Sequence, residues 1–115
     1  MSGEKLKFMV LFLIPGAVMA DWAKIDAATR EASEARLMAE WQAWMAEHKA
    51  MIMTTEAAGK TRRVTAAGAS DAKNDIILYS MVEAESLEAA ARAFEGHPHL
   101  QIPQASIEVM AVRPM

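Results

Sequence analysis

Apolar residues crowd the start of this chain and then spread into periodic stripes. After Lys7 comes Phe8-Met9-Val10-Leu11-Phe12-Leu13-Ile14. So dense a run predicts a strand over Lys7–Ile14, covered on both faces or set at a subunit contact. Pro15-Gly16 ends it, and Ala17–Ile25 predicts a short helix. Asp26–Thr29 reads as a break, with Thr29 placed to cap the next helix through its side-chain oxygen. The longest helix is predicted over Arg30–Glu47. Leu37, Trp41, Trp44 and His48 follow one another at helical spacing on one face, and Met38 and Met45 widen that face.

The second half alternates more. Lys49–Thr55 predicts a strand, Ala58-Gly59 a turn, and Thr61–Ala66 a short strand with one polar face. Gly68–Asn74 is small and polar and reads as a loop. Asp75–Glu83 contains Ile76-Ile77-Leu78-Tyr79-Ser80-Met81-Val82, a strong strand signal. Ser86 then caps a second helix whose buried stripe is Leu87, Ala90, Ala91 and Phe94. Gly96 and Pro98 stop that helix. A last strand is predicted over Ser106–Val112, with Ile107 and Val109 on one face. The order fits an α+β two-layer sandwich, helices on one side of a mostly antiparallel sheet. Much apolar surface would then stay uncovered, which predicts a homodimer.

Composition narrows the function classes. At 115 residues the chain suits one domain, 1–115. Its 12 basic and 15 acidic side chains leave a formal charge of -3, without the concentrated basic patch of a nucleic-acid binder. There are no cysteines, which excludes disulfides, thiol chemistry and zinc–thiolate sites. Their absence fits a reducing, cytoplasmic setting. The opening apolar run is too short to span a bilayer as a helix, so no membrane partner is expected. With Lys5, Lys7 and Ala20 it has some features of a secretory signal. A buried first strand is the competing assignment; finding Met1 or Ser2 at the start of the native protein would exclude cleavage at Ala20.

The order of these pieces resembles the YCII-related family, near its branch with an Asp-Gly-Pro-Phe loop. The resemblance runs over Lys7–Arg113. It is carried by Lys7-Phe8-Met9, by Gly59-Lys60-Thr61-Arg62-Arg63-Val64-Thr65, and by Glu83-Ala84-Glu85-Ser86-Leu87-Glu88-Ala89-Ala90. It closes on Gly96-His97-Pro98-His99-Leu100 and Ser106-Ile107-Glu108-Val109. It implies a ferredoxin-like two-layer sandwich of the dimeric α/β-barrel type. Some YCII-like proteins are suspected enzymes with a histidine–aspartate pair, the histidine on the first long helix. Here that region reads Glu40-Trp41-Gln42. The loop motif is replaced by Ala67-Gly68-Ala69-Ser70-Asp71-Ala72-Lys73, which keeps Asp71.

Candidate chemistry gathers at His97-Pro98-His99. Histidine titrates near neutral pH and can move protons. In the acid/base reading His97 or His99 moves the proton, Asp71 orients the ring and Arg63 holds a negative group. Tyr79, Trp41 and Trp44 would shape a small-molecule site. In the competing reading the two histidines satisfy turn or interface hydrogen bonds, and the protein is a structural or interaction module. Two histidines flanking a proline lack an evident third ligand, so no metal is expected. No dinucleotide or phosphate-loop motif occurs, and no cofactor is expected.

Overall fold

The computed structural model describes residues 5–115. Met1 to Glu4, on which the cleavage test turns, lie outside the described residues. Strand β1 (Leu6–Leu13) is followed by helices α1 (Gly16–Ala23) and α2 (Ala27–Glu47). Strands β2 (Ile52–Ala57), β3 (Thr61–Thr65), β4 (Gly68–Ala72) and β5 (Ile76–Ala84) come next. Helix α3 (Leu87–Ala93), a 3₁₀ turn (Pro98–Gln101) and β6 (Ser106–Val112) complete the chain.

Local chemistry explains most of these bounds. Asp26, not Thr29, caps α2: its carboxylate accepts the Thr29 backbone N–H at 3.2 Å. The helix therefore starts at Ala27, and Thr29 lies inside its first turn. Ion pairs Arg30–Glu34 and Arg36–Glu40 lie one turn apart on its solvated side. Ser86 caps α3 as expected, accepting from the Ala89 N–H at 3.0 Å. Gly96 takes a φ of 77°, a left-handed conformation that suits a residue without Cβ just past a helix. Pro98 then opens the 3₁₀ turn, where its missing N–H costs nothing.

Four strands form an antiparallel sheet in the order β2-β5-β1-β6, and β3 and β4 form a separate two-stranded sheet. This corrects two expectations. Gly68–Ala72 is not a loop: it pairs with β3 from Thr61↔Ala72 to Thr65↔Gly68. Small polar residues carry little strand signal of their own, but the facing strand supplies their backbone partners. The ferredoxin-like two-layer sandwich of the dimeric α/β-barrel type is overturned as well. Among the described residues there are two sheets, and the larger one is open, ending at edge strands β2 and β6. Closing a barrel takes roughly eight tilted strands, and four leave both edges unpaired.

The core lies on one face of the open sheet. Phe8, Val10 and Phe12 are buried in one cluster with Trp44, Val82, Ala90 and Phe94, while Met9, Leu11 and Leu13 are only half-buried. The unbroken apolar run at the start thus serves two unlike faces. Period-two alternation sends every second side chain to the helix-packed core and the others to the opposite face of the sheet. No helix among the described residues is long and apolar enough to cross a membrane.

Candidate functional site

Beneath α2 and α3 the 3₁₀ turn brings both terminal histidines into the interior. His97 is 1% exposed and His99 is fully buried. The first holds the turn in shape: its Nδ1 accepts the His99 backbone N–H at 3.0 Å. The second ties the turn to the end of the central strand, its Nε2 lying 3.0 Å from the Leu13 carbonyl oxygen.

These partners fix the tautomers. A ring nitrogen that accepts an N–H carries no proton, so neutral His97 has its proton on Nε2. A carbonyl oxygen can only accept, so His99 donates through Nε2 and leaves Nδ1 as a lone pair. Among the described residues, the two remaining atoms, the His97 Nε2–H and the His99 Nδ1, are buried without a hydrogen-bond partner. One is a donor and the other an acceptor. An unpartnered buried polar group costs roughly 1–3 kcal/mol, so such a complementary pair calls for an occupant or a compensating gain.

The walls are aromatic. The His97 ring meets Trp41 edge-on at 4.4 Å between centroids, Trp44 at 4.5 Å, Phe12 at 5.3 Å and Phe94 at 5.9 Å. His99 meets Phe12 edge-on at 5.4 Å. His48, at the end of α2, stacks on Trp44 at 4.0 Å. Burial in this apolar box lowers the His97 pKa from 6.5 to about 4, and the neighbouring His99 and His48 push it the same way. Burial lowers that of His99 too, against the opposing pull of the Leu13 and Ser106 carbonyls. Both rings are therefore neutral at pH 7. Phe94 also lines a groove of about 370 Å³ between α3 and β6, with Leu87, Ala91, Leu100 and Val109.

The other expected site residues are placed differently. Trp41 and Trp44 are walls of the histidine box. Asp71 stands on β4, exposed, and pairs with Arg62 at 2.9 Å. Arg63 is exposed on β3, in the same small sheet. Tyr79 faces the opposite side of the large sheet, in register with Leu11 rather than Phe12. Its hydroxyl donates to Glu56 at 2.5 Å, and that hydrogen bond, with the Glu56 charge, raises the phenol pKa. The box thus gathers two histidines and two tryptophans but none of these three polar groups. What the sequence reading missed is Phe12 as a wall and the Leu13 carbonyl as a partner. The dense apolar run around them concealed both. Among the described residues, no group of three His, Cys, Asp or Glu side chains is set to hold a metal ion.

No family model matches the chain, and no curated protein matches it. Among solved structures it is similar to a 5-chloro-2-hydroxyhydroquinone dehydrochlorinase (TftG) from Burkholderia phenoliruptrix AC1100, in complex with 2,5-dihydroxybenzoquinone. The identity is 18% over 90% of each chain, with a TM-score of 0.45. It is also similar to a hydantoinase/carbamoylase family amidase from Burkholderia ambifaria, at 10% identity and a TM-score of 0.34. That match covers 97% of this chain and 28% of the amidase. Both likenesses are distant, and the chemistry of this chain rests on its own side chains.

Proposed function

We propose that this chain is a single-domain YCII-like protein that binds a small, uncharged polar molecule at His97 and His99. One observation carries the reading: two buried ring nitrogens of opposite hydrogen-bonding role lack partners among the described residues. A ligand with one acceptor and one donor, such as a hydroxyl or an amide, satisfies both without bringing a charge into an aromatic box. Trp41, Trp44 and Phe12 give such a site its apolar walls, as small-molecule sites commonly have.

Imidazole nitrogen NMR tests this directly. The two rings report their tautomers, and titration with neutral hydroxyl- and amide-bearing fragments should move the His97 Nε2 and His99 Nδ1 resonances while leaving His48 in place. Fragments that bind elsewhere, with both rings silent, would overturn the reading. General acid/base chemistry uses the same rings but needs them to exchange protons near neutral pH. An activity with a pH midpoint set by His97, abolished in His97→Gln, would favour it. Asp71 and Arg63 take part in that alternative only if the small sheet closes toward the 3₁₀ turn, so Asp71→Asn should lower that activity too.

A further inference from the structure

The sheet face turned away from the helices carries a row of sulfur atoms. Met9 on β1 is directly opposite Met81 on β5 and directly opposite Met110 on β6. Directly paired residues of an antiparallel sheet project to the same side, about 5 Å apart. Three methionines on three neighbouring strands therefore stand abreast, each half-buried and outside the hydrophobic core cluster. A methionine side chain is long and unbranched, so the two outer thioethers can lean over the central one and converge.

The rows on either side carry charge. Toward one end Glu56, Tyr79, Leu11 and Glu108 line up across all four strands. Toward the other, Lys7 stands between Glu83 and Val112. Three carboxylates and one ammonium thus flank the sulfur row, which favours a cation.

We propose that Met9, Met81 and Met110 form a binding site for a soft monovalent cation, Cu(I) or its redox-inert analogue Ag(I). Thioether sulfur is a soft, neutral ligand that prefers such ions to Zn(II), Mg(II) or Ca(II). It holds no proton to displace, so binding should be nearly independent of pH, unlike binding to imidazole or thiolate. The chain has no cysteine to compete.

The test titrates the full chain with Cu(I) under anaerobic, reducing conditions against a chromogenic chelator. The expected result is one ion per chain, or one per pair of chains if two copies meet through this face. The affinity should be unchanged between pH 5.5 and 8, with an all-sulfur shell by X-ray absorption. Leucine keeps methionine's volume and removes its sulfur, so the fold is retained. Each of Met9→Leu, Met81→Leu and Met110→Leu should weaken binding by roughly tenfold or more, and the triple variant should abolish it. Met19→Leu with Met38→Leu, on α1 and α2, should change nothing. Binding that survives the triple variant, that tracks imidazole protonation, or that is absent from the wild-type chain overturns the proposal.

Discussion

His99 Nε2 lies 3.0 Å from the carbonyl oxygen of Leu13, 86 positions earlier in the chain. That bond pins the 3₁₀ turn before the last strand to the end of the first. His99→Ala should leave the Leu13 carbonyl without this donor and open a cavity against Phe12. A loss of about 2–4 kcal/mol is expected, read as a lower urea midpoint. His99→Asn, whose amide can still donate, should recover part of it.

Acid should weaken the fold over a defined window. An unfolded His97 takes up a proton near pH 6.5, whereas the folded ring resists down to about 4. Between those values the unfolded chain binds more protons, so stability falls as the pH drops from 6.5 to 4 and is level above 6.5. For this ring the loss is at most about 3 kcal/mol, and the lowered pKa of His99 adds in the same direction. Urea unfolding at pH 7.5 and 4.5 measures the difference. His97→Phe should flatten the dependence; an unchanged slope would refute the assignment to this ring.

The small sheet should contribute little. The Arg62–Asp71 pair is exposed on both sides, and exposed pairs are worth under about 1 kcal/mol. Asp71→Asn should move the thermal midpoint by no more than a degree or two. If it also leaves fragment binding at His97 untouched, Asp71 has no part in that site.

The uncovered sheet face bears on self-association. The homodimer expected from excess apolar surface requires a sedimentation mass of two chains at micromolar concentration. Met9→Lys, which sets a charge in the middle of that face, should return it to one. A single-chain mass for the wild type would remove the homodimer.

Much of the fold can be read from local pattern. The Ser86 cap, the burial of Ala90 and Phe94 and the Ser106–Val112 strand each depend on side chains close in sequence and occur as expected, whereas Leu87 and Ala91 of the expected buried stripe are exposed. Strand β4 was not legible, because Gly68–Ala72 becomes a strand only by virtue of the strand it faces. The α2 cap was misplaced by three residues, since Asp26 and Thr29 are both capping types and only geometry chooses between them. His97 and His99 could be singled out by type, but not by environment.

By itself, then, the sequence determined every helix and strand with strong local signal, β4 excepted, and which residue types could do chemistry. Periodicity and capping are local, and a few neighbouring side chains suffice to express them. Tertiary structure alone decided that four strands form an open sheet beside a two-stranded one, that both histidines are buried and neutral, and that Met9, Met81 and Met110 stand abreast. Each of these depends on register between segments tens of residues apart, which pairing and burial settle and local sequence does not encode.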